Sequence, residues 1–105
     1  MVLFEMRTYT LRPGRVAAYV ADFEQRGLPV ISRYAHLVAY WITEVGTLHQ
    51  VIHVWRYQDA AHRATQRARL YADTDWVDGY LPRSLDDVIT QQSQLLTAAP
   101  FSPVQ

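Results

Sequence analysis

The alternation of apolar and polar residues is clearest in residues 38–57, which predict a β-hairpin at the centre of the fold. β-Branched and aromatic side chains dominate this stretch, and no helical repeat interrupts it. Residues 44–47, which include Gly46, predict the turn between the two strands. Because the hairpin holds two of the three tryptophans and two of the four histidines, we expect any chemistry of this chain to border it.

Residues 2–10 alternate in the same way and predict the first strand. One face carries the apolar residues Val2, Phe4 and Met6. The other face carries Glu5, Arg7 and Tyr9. The alternation therefore predicts a strand with one apolar and one polar face.

Two regions of helical spacing flank the hairpin in sequence. In the first, apolar residues recur every three or four positions after Gly14, until Pro29 kinks or restarts the helix. The second begins at Asp59, whose carboxylate is expected to accept the free amide hydrogens of the first turn. After it, a further turn or two carries Trp76 and Tyr80 on one face before Pro82 ends the helix.

The helix after Asp59 has two faces of different character. We expect it to pack on the sheet through small residues and to keep its arginines elsewhere on its surface. The small residues are Ala61, Ala64 and Ala68, and the arginines are Arg63, Arg67 and Arg69.

The order of these elements predicts a known architecture. Residues 87–96 are expected to form an edge strand, although their sequence also permits a helix. The resulting order, βαββαβ, is that of the ferredoxin-like split unit, an α+β fold in which both helices cover one face of a four-stranded antiparallel sheet. Since the other face still carries large side chains, we expect a second copy of the chain to cover it, giving a homodimer.

Composition limits the chain to one domain and narrows its partners. With 105 residues, half of them hydrophobic, it holds a single core, placed in residues 1–96 with 97–105 as a tail. Without cysteine it forms neither a disulfide nor a thiolate metal site. No apolar run reaches the roughly 20 residues of a membrane span. Ten basic residues balance ten acidic ones, so we expect a cytoplasmic protein with neither membrane nor nucleic acid as a partner.

Several short motifs, in order, resemble the NIPSNAP family. They are FEMRTYTLRPG at residues 4–14, Tyr40-Trp41 with Glu44 and Gly46, HVWRY at residues 53–57, and then Arg63, Leu70 and Trp76. The resemblance extends from residue 2 to about residue 96. It implies a dimeric α+β barrel, in a superfamily that also contains cofactor-free monooxygenases, lactone isomerases, cyclases and haem enzymes. It does not imply one reaction.

His53 is the candidate general base. Strand alternation places it on one face with Trp55 and His49, beside aromatic side chains. Histidine takes and returns a proton near neutrality because its reference pKa is about 6.5. The alternative is a sheet histidine bonded to Glu5 or to a backbone carbonyl. His49 and His53 are roughly 13 Å apart on a strand, which argues against a metal site between them.

Glu5 and Arg7 are the candidate catalytic charges beside His53. They share a face of the first strand, about 7 Å apart at the backbone. As catalytic residues, Arg7 binds an anionic or phenolic oxygen and Glu5 orients Arg7 or His53. The alternative is a structural ion pair across the dimer interface. Since the split unit places the first and third strands side by side, we expect Glu5, Arg7, Tyr9 and His53 to line one cavity.

Aromatic residues complete the predicted pocket and leave two functions open. The candidate substrate-binding residues are Tyr9, Tyr40, Trp55, Trp76 and Tyr80. Large rings often only fill a core, but an aromatic pocket with a few polar groups is also the usual small-molecule site. One function is a cofactor-independent oxygenase, isomerase or cyclase that removes an acidic proton from an aromatic or polyketide-like substrate. The other is a non-catalytic, dimeric ligand-binding or interaction protein.

Overall fold

The computed structural model describes residues 1–105 and confirms the predicted α+β architecture. The strands are Leu3–Leu11 (β1), His36–Ile42 (β2), Gln50–Tyr57 (β3) and Val88–Leu96 (β4). The helices are Val16–Asp22 (α1), Leu28–Ile31 (α2), Ala60–Ala72 (α3) and Leu81–Leu85 (α4). Two π-helical segments, Phe23–Gly27 and Asp75–Tyr80, precede α2 and α4. No helix has the length and apolar character needed to cross a membrane.

The sheet has the strand order β2-β3-β1-β4, and every neighbouring pair is antiparallel. The edge strand predicted for residues 87–96 is confirmed as β4. His53 lies in β3 directly opposite Arg7 of β1 and Tyr40 of β2. The three side chains therefore form a row across the middle of the sheet, on one face.

The helices cover the face of β1 that carries its charged residues. Glu5 is fully buried on this face, and Leu11 and Val51 are buried with it. The main core lies between this face and the helices; it consists of Phe23, Val30, Ile31, Trp55, Tyr57, Leu70, Trp76 and Tyr80. Any site built on Glu5 and Arg7 consequently lies under the helices, inside one chain.

The opposite face of the sheet carries no helix. Trp41 and Ile52 are paired across β2 and β3 on this face, and the Trp41 side chain is 56% exposed. At one end the C-terminal tail folds back, because the Arg56 Nε donates a hydrogen bond of 3.1 Å to the carbonyl of Gln105. The tail predicted for residues 97–105 thus contacts its own chain.

Each π-helical segment leads into a short helix with proline in its first turn, where a missing amide hydrogen is tolerated. The expectation that the second helical region ends at Pro82 is wrong for this reason, since α4 runs through it. The two segments meet at Gly27, where an added Cβ would lie 2.8 Å from the Tyr80 ring. A side chain at Gly27 would therefore displace an aromatic residue of the core.

The packing face of α3 differs from the predicted one. Ala61, Ala64 and Ala68 are exposed, whereas Arg63 and Arg67 are half-buried and Leu70 is buried. Leu70 offers more apolar surface to bury than the alanines do. Beneath the helix, the carboxylate of Glu5 accepts two hydrogen bonds from Arg63. The helix therefore directs arginines toward the sheet.

The hairpin link is longer than predicted and removes one histidine from the site. It spans residues 43–49, so that β3 begins at Gln50. His49 lies in the left-handed region with a φ of 63° and does not continue the strand. The prediction that His49 shares the strand face of His53 is therefore wrong.

Candidate functional site

A cavity of about 250 Å³ lies between the sheet and the helices. His53 and Trp55, which are 5% and 2% exposed, line its buried part. Tyr71, Leu85 and Gln91 also line it but are exposed to solvent. These three residues mark the mouth, so the cavity connects His53 with the surface.

Seven of the eight site residues predicted from the sequence line this cavity. They are Arg7, Tyr9, Tyr40, His53, Trp55, Trp76 and Tyr80. The exception is Glu5, which was expected to line the same cavity and lies behind the wall instead. Partners from three elements enclose its carboxylate, and one of these partners, Arg7, lines the cavity.

His53 is held in a fixed orientation by aromatic neighbours. The Tyr40 ring stacks on it at 4.9 Å and 8°, and the Tyr9 ring meets it edge-on at 4.8 Å. The Trp55 Nε1 donates a hydrogen bond of 2.6 Å to Nδ1 of His53. The expected partners, Glu5 or a backbone carbonyl, are therefore wrong, and the partner is an indole.

The hydrogen bond from Trp55 determines where His53 carries its proton. An indole N–H only donates, so Nδ1 of His53 is unprotonated and the neutral ring carries its hydrogen on Nε2. Burial and the nearby Arg7 charge lower the pKa of His53 from 6.5 to about 3, against the opposing effect of Glu5. At neutral pH His53 thus presents an N–H donor, not a free acceptor nitrogen.

Three buried polar atoms of the cavity wall have no hydrogen-bond partner in the protein. They are Nε2 of His53, Nε1 of Trp76 and the hydroxyl of Tyr80. The Tyr80 hydroxyl lies near those of Tyr19 and Ser84 without reaching hydrogen-bond geometry with either. An unpaired buried polar group costs about 1–3 kcal/mol. Three such groups around one cavity indicate a place for a ligand or ordered water.

Arg7 is positioned by a network centred on Glu5. Its Nη1 donates to Glu5 at 2.9 Å and its Nε donates to the Tyr9 hydroxyl at 2.8 Å. Arg63 reaches Glu5 through two bonds of 3.0 and 2.9 Å, and Ser93 donates a third contact at 2.6 Å. Burial favours the neutral acid, but these hydrogen bonds and the Arg7 charge lower the pKa of Glu5 from 4.5 to about 2. Glu5 is therefore an ionised anchor within one chain, where an ion pair across a dimer interface was the predicted alternative.

Sequence reasoning missed several residues of the cavity wall, including Tyr19, Phe23, Arg67 and Ser84. One signal was available. The pattern of an aspartate, an aromatic residue, four further residues and Leu-Pro occurs at residues 22–29 and again at 75–82. It aligns Phe23 with Trp76, and both occupy π-helical segments over the cavity. No group of three His, Asp or Glu side chains comes close enough to hold a metal ion.

The chain is similar to members of one protein family in both sequence and structure. A family model described as NIPSNAP matches residues 4–103. Protein NipSnap homolog 3A of Homo sapiens is 28% identical over 99% of this chain, which covers 42% of the human protein. The chain thus spans less than half the length of this curated relative. An uncharacterized NIPSNAP domain protein from Burkholderia xenovorans is 40% identical, with a TM-score of 0.92 over 96% of this chain and 98% of its own.

A more distant likeness concerns the fold alone. A variant of SnoaB, a cofactor-independent oxygenase from Streptomyces nogalater, superposes with a TM-score of 0.63. The two chains are 17% identical, and the superposition covers 97% of each.

Proposed function

This chain belongs to the NIPSNAP family, and we propose that it is a cofactor-independent enzyme that stabilises the enolate or phenolate of an aromatic or polyketide-like small molecule. The observation that carries the proposal is the set of hydrogen-bond donors in one aromatic cavity. His53, Trp76 and Tyr80 line this cavity and each carries a buried donor group without a hydrogen-bond partner in the protein, and Arg7 adds a positive charge. The fold shared with a cofactor-independent oxygenase supports the same class of reaction.

The donors suit an oxygen on which negative charge develops. Fixed donors in a site that excludes water stabilise such a charge strongly, because they need no reorganisation during the reaction. When the substrate loses its acidic proton to solvent at the mouth, the electron pair moves onto this oxygen. The resulting enolate is then reprotonated at another carbon by an isomerase, adds to an internal carbonyl in a cyclase, or reacts with dioxygen in an oxygenase.

This mechanism changes the role of His53 from the one expected from the sequence. A neutral ring with its Nδ1 occupied by Trp55 and a pKa of about 3 is a poor proton acceptor. Its Nε2–H instead donates to the substrate oxygen. Arg7, held by Glu5, balances the charge of that oxygen.

The size and walls of the cavity restrict the ligand. At about 250 Å³ it is smaller than the range of roughly 300–1,000 Å³ that is usual for drug-sized ligands. Thirteen of its eighteen lining residues are hydrophobic. A flat molecule of one or two rings fits these limits.

The second candidate function is that of a ligand-binding protein without catalysis. One observation favours it: no aspartate or glutamate lines the cavity, so the wall offers no carboxylate base. The two candidates differ in turnover. Incubation of the protein with a bound enol in air, followed by mass spectrometry, detects a rearranged or oxygenated product only if the protein is an enzyme.

We expect His53→Ala and Arg7→Ala to weaken binding of 2-hydroxy-1,4-naphthoquinone, a coloured enol, by about 10- to 100-fold, as for charge-assisted hydrogen bonds. We expect the Arg7→Ala variant to fold, because Glu5 keeps its hydrogen bonds from Arg63 and Ser93. The visible spectrum of the bound ligand reports its ionisation, and parent protein is expected to bind the anion. His36→Ala, at an exposed position, serves as the control. Equal affinity of all four proteins would contradict the site.

We also propose that the chain is a homodimer through the helix-free face of the sheet. The exposed Trp41 and its neighbour Ile52 offer an apolar surface for a second copy. Sedimentation at micromolar concentration is expected to show a dimer, and Trp41→Ala to weaken it by about 10-fold or more, as for an aromatic residue central to an interface. Val45→Ala is the control, because Val45 lies in the link between β2 and β3 and is 89% exposed. A stable monomer would contradict this proposal.

A further inference from the structure

The positive charge around the cavity exceeds what the protein itself neutralises. Two arginines, Arg7 and Arg67, line the cavity, and no acidic residue does. Glu5 accepts hydrogen bonds from Arg7 and Arg63. Arg67 forms no salt bridge and no side-chain hydrogen bond, so its guanidinium retains all its donors. In and behind the cavity wall, three guanidinium groups are thus accompanied by one carboxylate, an excess of two positive charges.

The fold places Arg67 here at a cost. Arg63 and Arg67 are one turn apart on α3, and like charges at this spacing destabilise a helix. Both are half-buried against the sheet, while the alanines of the same helix face solvent. The Arg67 guanidinium lies 5.4 Å from the centre of the Tyr71 ring, at the mouth of the cavity. Burial raises the pKa of Tyr9, and the charges of Arg7 and Arg67 oppose that shift.

We infer that Arg67 binds a carboxylate of the ligand at the mouth of the cavity, so that the substrate is an aromatic or enolic acid. The inference rests on the proposed function and names the substrate class of the same site. A planar ring lies between the aromatic walls, its ionisable oxygen meets the donors of the buried part, and its carboxylate meets Arg67. The planar fork of a guanidinium matches the two oxygens of a carboxylate.

The test compares three probes that share one ring system: 6-hydroxy-2-naphthoate, its methyl ester and 2-naphthol. By calorimetry we expect the acid to bind about 10-fold more tightly than the ester, the lower end for a charge-assisted hydrogen bond. Arg67→Gln is expected to remove this preference and to leave 2-naphthol affinity unchanged. Arg67→Lys keeps the positive charge but loses the planar guanidinium, so we expect this variant to retain part of the preference for the acid.

Arg69→Gln is the matched control. It removes the same charge from the same helix, but Arg69 bonds Gln66 and lies over the Tyr34 ring, outside the cavity. We expect the Arg69→Gln variant to keep the preference for the acid over the ester. In the parent protein, this preference should decrease as the salt concentration rises, because salt screens charge interactions. Thermal melting verifies that each variant is folded.

The outcomes separate this inference from the proposed function. Equal binding of acid and ester by the parent, or a preference that survives Arg67→Gln, overturns the assignment of Arg67 even if 2-naphthol binds. An acid preference that depends on Arg67 supports the inference even if 2-naphthol fails to bind and the buried donors prove to have another role. Failure of all three probes to bind overturns both.

Discussion

Replacing Trp55 with alanine is expected to lower the free energy of unfolding by about 3 to 5 kcal/mol, the usual cost of removing a large buried ring. Trp55 is 2% exposed and meets the Phe23 ring at 6.4 Å in the main core. Urea denaturation measures the change. Trp41→Ala is the contrast, because that side chain is 56% exposed and is expected to act on dimer formation. A Trp55→Ala variant within about 0.5 kcal/mol of the parent, typical of a surface change, would contradict the assignment of Trp55 to the core.

Trp55→Phe separates packing from hydrogen bonding. It keeps most of the ring but removes the indole N–H that occupies Nδ1 of His53. The cost is expected to be smaller, about 1–3 kcal/mol, the penalty of an unpaired buried acceptor. The His53 proton is then free to move to Nδ1, which ¹⁵N chemical shifts of the imidazole detect. If Nε2 keeps its proton in this variant, Trp55 does not determine the tautomer.

Local pattern was enough to predict the strands and their pairing. Side chains of a strand alternate strictly, so the two faces of β1 and β3 could be separated from the sequence alone. The split unit then makes these strands neighbours, and in the observed register Arg7 lies opposite His53. The proximity of Arg7, Tyr9 and His53 follows from the shared strand face together with this register.

Which face of β1 is buried could not be predicted in the same way. Glu5 and Arg7 resemble a solvated face, since charged residues are seldom buried without partners. The partners that reverse this expectation come from far along the chain: Arg63 lies 58 residues after Glu5, and Ser93 lies 88 residues after it. No local pattern around β1 contains that information.

The chemical state of His53 depends on side-chain geometry that alternation does not contain. Residues 53 and 55 share a strand face, but only the orientation of the two rings makes Trp55 donate to Nδ1. The sequence therefore indicated a histidine among aromatic residues and left its role open between a general base and a structural histidine bonded within the sheet. The face of α3 posed a similar problem, because an inward Arg63 is favourable only with the carboxylate of Glu5 beneath the helix.

Glu5→Gln is expected to lower the free energy of unfolding by about 3 kcal/mol at pH 7, since each unit by which the pKa is lowered corresponds to about 1.36 kcal/mol. Burial opposes ionisation of Glu5, but hydrogen bonds from Arg63, Ser93 and Arg7 lower its pKa from 4.5 to about 2. Breaking a buried ion pair by removing one partner costs about 3–5 kcal/mol. We expect the lower end of this range, because the side chains of Arg7 and Arg63 are 16% and 25% exposed and therefore partly solvated.

The lowered pKa of Glu5 also makes the stability of the protein depend on pH. Because the pKa of Glu5 is lower in the folded protein than in the unfolded chain, its stabilising contribution is complete above about pH 4.5 and is lost as the pH falls toward 2. Urea denaturation of the parent and of Glu5→Gln should therefore give a difference that is constant from pH 7 to about 5 and shrinks below it. Glu24→Gln, which removes an exposed carboxylate without a salt bridge, should follow the parent throughout. A difference between the parent and Glu5→Gln that stays the same from pH 6 to pH 3 would mean that the ionised form of Glu5 does not hold Arg7 and Arg63 in place.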